Sequence, residues 1–205
     1  METPRIELVR LTKEHALGYF SVWSDPHTTR WSCNGPCKTL QDAEDWMASL
    51  LPDENPTGEN YAILIRRDLD QATIDSFKPE TEIDDTDSVF KPGGFIGWIG
   101  TWRSEPLSEV GFVLHRSTWG LGFATEAMKA FTSLFWRLKP NVEYLAAFSD
   151  TENVASIRVL TKCGFRWVGV EFGEYELEWM VPQKRDTSQY RLYRGVNDGI
   201  NSSRR

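Results

Sequence analysis

A short β-patterned run, Glu109 to Leu114, feeds through a turn containing Gly120 and Gly122 into the longest helical pattern of the chain, Gly122 to Leu138. Along that helix Ala127, Met128, Phe131, Leu134, Phe135 and Leu138 recur at three and four residues, and Pro140 lies just past its end. A near-continuous apolar run follows from Val142 to Phe148, as expected of a strand covered on both faces. Strand, turn, helix and buried strand in succession place the chain in the α/β class.

The turn also suits a particular chemistry. Backbone N–H groups at a helix N-terminus lack intrahelical partners, and glycines let several of them converge on one anion. Two glycines at such a turn can equally serve packing alone, so neighbouring segments must decide. Two phosphate motifs fit poorly. No Gly-Lys-Ser/Thr ending is present, and Trp119 to Ala124 does not complete the dinucleotide G-x-G-x-x-G spacing.

Around this segment, Ile6 to Leu11 alternates like a half-buried strand. Thr12 stands where it can cap a helix carrying Ala16, Leu17, Phe20 and Trp23, which Asp25-Pro26 stops. Thr39 is the N-cap candidate for a second helix with the stripe Ala43, Trp46, Met47 and Leu50, ended by Pro52. Tyr61 to Ile65 is β-prone, and the acidic, aperiodic stretch after it, 67–92, reads as a surface insertion, a mobile loop in preference to a substrate-side flap. Phe95 to Trp102 and Glu109 to Leu114, with Ser104-Glu105-Pro106 between them, read as an antiparallel pair. A helix is expected from about Asn153 to Lys162 with Gly164 as its C′ residue, then strands at Phe165 to Phe172 and Gln189 to Tyr193. One domain, 1–195, and a polar tail, 196–205, account for the whole chain.

Composition narrows the partners. With 205 residues, 40% of them hydrophobic, the chain can bury one good core. A net charge of -7 argues against a nucleic-acid partner, which needs clustered Lys and Arg, and suits a cationic amine instead. No apolar run approaches the roughly 20 residues that span a bilayer, and the start METPRIELVR is too charged for a secretory segment. The expectation is a cytoplasmic protein, monomer or homodimer, with no membrane partner. Cys33, Cys37 and Cys163 read as reduced thiols, and neither they nor His15, His27 and His115 have metal-ligand spacing.

Two segments resemble a known family. Trp119-Gly120-Leu121-Gly122-Phe123-Ala124-Thr125-Glu126-Ala127 is similar to the pyrophosphate loop of GNAT N-acetyltransferases, in the form typical of RimJ/RimL-like members. Downstream, Asn153 to Phe165 resembles that family's N-x-x-S-x-x-x-L-x-K-x-G-F segment. The likeness extends more loosely over 39–51 and Asp186 to Leu192. Trp119 stands where the general loop begins with Gln or Arg, and Leu160 where many members place a catalytic tyrosine. Without that acid, the thiolate's proton must come from another residue or from water, or the thiolate leaves unprotonated.

The resemblance implies a single domain with a mixed, mostly antiparallel sheet, flanked by helices and splayed between the strands 109–114 and 142–148. It implies acetyl-CoA as the acetyl donor, no metal, and a primary amine attacking directly in a ternary complex. A peptide or protein N-terminus is the first acceptor expected. A small cationic amine (polyamine, amino sugar or antibiotic) and a non-catalytic acyl-CoA-binding module are the alternatives. The strand 109–114 is expected to carry a bulge, with Phe112, Val113 and Leu114 pairing with the pantetheine arm. Trp119, Gly120, Leu121, Gly122, Phe123, Ala124 and Thr125 would hold the pyrophosphate, and Asn153 and Ser156 the pantetheine or the sulfur.

An amine must shed its proton to attack, and Glu109 is the candidate base; a hydrated or Arg-paired strand glutamate is the alternative. Ser156 is the candidate proton donor to sulfur, or simply a donor to CoA, and Glu126 reads as a dipole or local hydrogen-bonding residue. Trp31, Trp98 and Trp102 are candidates for the acceptor pocket, against packing in the core. Arg116 is a candidate phosphate ligand, against a solvated loop arginine.

Overall fold

The computed structural model describes residues 1–79, 89–103 and 107–195, apart from the side chain of Arg103, and arranges them around a seven-stranded mixed sheet. The strands are β1 (Ile6–Arg10), β2 (Asn60–Ile65), β3 (Phe95–Arg103), β4 (Ser108–Leu114), β5 (Tyr144–Asp150), β6 (Arg166–Glu176) and β7 (Lys184–Tyr193). Their spatial order is β1-β2-β3-β4-β5-β7-β6, and every neighbouring pair is antiparallel except β4 with β5. The exception has a simple origin. Parallel neighbours need a long crossover, and a 16-residue helix supplies it between these two strands.

The described helices are α1 (Ala16–Trp23), α2 (Leu40–Ala48), α3 (Gln71–Asp75), α4 (Phe123–Leu138) and α5 (Val154–Lys162). Thr39 caps α2 as expected. Its Oγ1 accepts from the Asp42 N–H at 3.1 Å, and the Asp42 carboxylate accepts the Thr39 N–H at 2.9 Å. Gly164 follows α5 at φ 87°, the left-handed stop that only glycine takes easily.

Alternation along the strands sorts their side chains into two cores. On one face Ile63, Ile65, Ile96, Ile99, Val110 and Leu114 pack with Phe123, Phe131 and Phe135 of α4. On the other, Ala62, Leu64 and Trp98 pack with Tyr19 of α1 and Ala43 and Met47 of α2. This second core draws no member from β5, β6 or β7. Among the described residues, that half of the sheet adds nothing to the second core, and β6, at the outer edge, is exposed along most of its length.

Three expectations need correction. The stretch read as a surface loop contains the short helix α3, and Ile74, Val89 and Phe90 enter the core beneath α4. These apolar residues are too widely spaced to show a period, so the acidic composition around them masks their role. The bulge expected on the strand 109–114 lies instead on its neighbour. Thr101 pairs with Val110 and Arg103 with Glu109, which leaves Trp102 as the extra residue on β3. The last strands are also longer than their apolar patterns, because β6 and β7 pair outward to Glu176 and Lys184 through polar residues. The Ser104-Glu105-Pro106 turn and the tail 196–205 lie outside the described residues.

Candidate active site

β4 and β5 pair only at Ser108↔Leu145 and Glu109↔Ala146, then separate. β4 meanwhile stays paired to β3 as far as Leu114↔Gly97. From Val110 to Leu114 one side of its backbone ladder therefore faces an opening rather than a strand, the arrangement into which an extended ligand can add itself. The splay expected between these strands is present. At its far end Trp119, about half exposed, donates its indole N–H to the Leu114 carbonyl at 2.9 Å and caps the ladder.

The turn after β4 holds Gly120 at φ 77° and Gly122 at φ 83°. Both are left-handed, a conformation that other residues adopt only with strain. The first i to i−4 bond of α4 runs from the Glu126 N–H to the Gly122 carbonyl, so the amides of Phe123, Ala124 and Thr125 precede the ladder. Their convergence with the helix dipole suits an anion. The Phe123 side chain is fully buried against Phe77 and Phe90, which leaves its backbone as the part able to face a phosphate. Arg116 is exposed on the turn.

Glu126 has a clear structural role. Its carboxylate accepts Arg5 Nε at 2.7 Å, Thr3 Oγ1 at 2.6 Å and the Arg5 backbone N–H at 3.1 Å. Arg5 also donates to the Leu121 carbonyl at 2.9 Å and lies 4.1 Å over the Phe123 ring. The first residues of the chain thus anchor the glycine turn. Sequence reading expected a dipole or local bond here; the partners are more than a hundred residues away, where no spacing rule reaches.

α5 starts opposite, beside the end of β5. Asn153 caps it through Oδ1, which accepts the Ser156 N–H at 3.2 Å, and both side chains are half-buried. Leu160 lies in the main core at 2% exposure. Leucine there supplies packing in place of a hydroxyl.

On the face away from α4, Glu109, Gly111 and Val113 alternate with the α4-facing Val110, Phe112 and Leu114. Glu109 is half-buried and accepts the Trp102 indole N–H at 3.1 Å. Trp102 is 45% exposed and Trp31 half-buried, so both present ring surface. Trp98 is corrected here: at 6% exposure it belongs to the second core, beneath α1 and α2, and has little surface to offer an acceptor.

A charged cluster on this face escaped sequence reading. Ala146, Phe148 and Asp150 alternate with the α4-facing Leu145 and Ala147, so Asp150 shares the side of Glu109. Its fully buried carboxylate receives Arg185 Nε at 2.8 Å and Nη2 at 3.0 Å, the Tyr175 hydroxyl at 2.7 Å and the Glu152 N–H at 2.8 Å. Burial alone would raise its pKa, but the Arg185 fork and the other donors hold Asp150 below the usual carboxylate range. Tyr175 is pushed up by burial and by its bond to that carboxylate. Arg185, raised by Asp150 and Glu152, also bridges to Glu152 Oε2 at 2.8 Å and lies 5.7 Å from the Trp31 ring. The one clue in the sequence was an acid closing an apolar strand, since a buried charge needs a partner.

Hollows of about 290 Å³, lined by Lys13, Leu51 and α2 residues, and about 250 Å³, lined by Gln71, Asp75, Lys78, Phe90 and Lys91, share no residue with this face. Among the described residues no group of His, Cys, Asp or Glu could hold a metal ion, and no helix is long and apolar enough to cross a membrane.

Comparison with known proteins agrees with this geometry. Residues 5–166 match the family model described as an acetyltransferase (GNAT) domain. The chain is 26% identical over 175 residues to an uncharacterized N-acetyltransferase, p20, of Bacillus licheniformis, covering 82% of this chain and 83% of that one. Its fold resembles that of RimL, a ribosomal L7/L12 α-N-protein acetyltransferase solved with coenzyme A, at a TM-score of 0.71 and 15% identity over 93% of this chain and 95% of that one. It also resembles the spermidine N-acetyltransferase of Vibrio cholerae, solved with CoA and spermine, at a TM-score of 0.68 and 10% identity over 93% and 96%.

Proposed function

The chain belongs to the GNAT acetyltransferase family and uses acetyl-CoA as donor, and from that premise we propose that it acetylates the α-amine of a peptide or protein N-terminus. The observation that carries this reading is the splay of β4 from β5, bordered by the glycine turn at one end and by Glu109 at the other. The face beyond Glu109, where β5, β7 and β6 add no member to the second core, suits an extended acceptor better than an enclosed one. The RimL-like fold supports the same choice.

The donor residues fit the group they would hold. Phe112, Val113 and Leu114 would bind the pantetheine arm through the open ladder, and the amides from Gly120 to Thr125 the pyrophosphate. Asn153 and Ser156, at the start of α5, would reach the pantetheine or its sulfur. Bound acetyl-CoA supplies a thioester carbonyl to the amine nitrogen and a thiolate as leaving group. Glu109 takes the amine proton, steadied by the Trp102 indole, while Trp31 and Trp102 border the acceptor. With Leu160 in the core, solvent returns the proton to the sulfur. An α-amine, with a pKa near 8, is partly neutral at physiological pH, whereas a lysine at about 10.4 is not, so the α-amine asks less of a single half-buried carboxylate. Three free thiols, with burial raising Cys37 and Cys163 to about 11, suit a reducing cytoplasmic setting.

One observation favours a second reading. Glu171, Glu174, Glu176 and Glu178 are all exposed along β6 and the hairpin that follows, a charge pattern that attracts a polyamine. Thiol release from acetyl-CoA across a panel of N-terminal peptides, spermidine and lysine separates the readings. The first expects the highest kcat/KM with a peptide α-amine. Preference for spermidine overturns that acceptor class, and binding of acetyl-CoA without turnover of any amine overturns the catalytic reading.

A further inference from the structure

We propose that Asp150 and Arg185 form a positioning pair that sets the shape of the acceptor cleft, by fixing both the β6–β7 hairpin and the loop joining α1 to α2 over the face that carries Glu109. The inference rests on the reading of that face as the acceptor side.

Three pieces of chain far apart in sequence meet at this pair. Asp150 ends β5 four residues beyond Ala146, where pairing with β4 stops, so it lies on the free wall of the splay. Arg185 and Tyr175 come from β7 and β6, and pair with each other in the ladder that forms the hairpin's stem. Trp31 belongs to the loop 24–39 between α1 and α2, with Arg30 5.1 Å from its ring and Arg185 5.7 Å. A second tie completes the contact: the Trp179 indole N–H at the hairpin tip donates to the Arg30 carbonyl at 2.9 Å, and a Cβ on Gly35 would touch the same indole at 3.4 Å.

Stability alone is a poor explanation for this arrangement. The side chains of Asp150 and Arg185 are 0% and 3% exposed, and ions withdrawn from water that far gain little over a packed apolar pair. A paired fork does provide a fixed geometry, because the planar guanidinium meets the carboxylate in one orientation and presents its face to an aromatic ring. The carboxylate is also saturated by Tyr175 and the Glu152 N–H, which leaves it no vacant acceptor geometry with which to shift. The pair therefore transmits the position of β5 to both walls of the cleft. Among the described residues, the charged groups that face it include Glu152, bound to Arg185, Arg30 on the other side of the Trp31 contact, and Asp186, which accepts the Gly173 N–H at 2.9 Å on the same hairpin.

Asp150→Asn and Arg185→Lys test the proposal in the full chain, using the best amine of the panel. Lysine keeps the charge but loses the paired fork, so it carries the test if Asp150→Asn does not fold. The expected result is a rise in acceptor KM on the order of 10-fold, a smaller fall in kcat, and unchanged acetyl-CoA affinity by calorimetry. Hydrogen exchange is expected to quicken at residues 28–35 and 177–183 in the same variants. Faster exchange with unchanged acceptor KM means that the loops are held by the pair but do not border the acceptor, which overturns the reading of the face. Unchanged exchange and unchanged KM together overturn the positioning role itself.

Discussion

At the scale of single residues, the proposed chemistry turns on Glu109. Its position on a strand was legible from the β-patterned run Glu109 to Leu114, and the structure places it on the face of Gly111 and Val113. The Trp102 contact was not legible, because it depends on an extra residue in β3 that no local pattern announces. If Glu109 accepts the amine proton, Glu109→Gln should lower kcat by about 10²–10⁴-fold and leave acetyl-CoA affinity intact. The deficit should shrink as pH rises toward the amine's own pKa, since a neutral amine no longer needs the carboxylate. A loss independent of pH would indicate a displaced acceptor instead. The tryptophans show a further limit: Trp98 and Trp102 share a strand face, yet one is sealed beneath α1 and α2 and the other is not. Strand period assigns a face but says nothing of what covers it.

Among the elements, the glycine turn and α4 were the most legible. Period and the stop at Pro140 agree there, and the structure starts the helix at Phe123. Gly120 is the cleaner glycine to alter, because a Cβ built on it meets nothing within 4 Å, whereas one on Gly122 lies 3.5 Å from Arg5. Gly120→Leu should therefore cost stability only through its left-handed backbone, on the order of 1–2 kcal/mol. Acetyl-CoA affinity should fall by more than that stability change accounts for, since on the proposed pyrophosphate assignment the side chain would enter the space meant for the phosphates. Calorimetry and urea unfolding on the same variant check both halves; unchanged affinity in a folded protein would remove the pyrophosphate assignment. Segment 67–92 shows why the rest was hidden. Ile74, Val89 and Phe90 reach the core singly from an acidic background, and scattered anchors produce no periodic signal.

For the molecule as a whole, the sequence motifs pointed to the opening between β4 and β5, but the ties that complete its surroundings are long-range. Arg5 with Glu126 braces the glycine turn, and Asp150 with Arg185 ties β5 to the β6–β7 hairpin, each joining segments with no shared motif. The proposed function therefore depends on a sheet that is closed at Glu109↔Ala146 and open beyond it. A crystal structure of the acetyl-CoA complex tests that claim most directly. The account predicts the pantetheine arm between β4 and β5, in ladder hydrogen bonds with the backbone of Phe112 to Leu114, and the pyrophosphate against the amides of Gly120 to Thr125. Acetyl-CoA bound elsewhere, or strands that zip together past Glu109 and Ala146 in the complex, would contradict it.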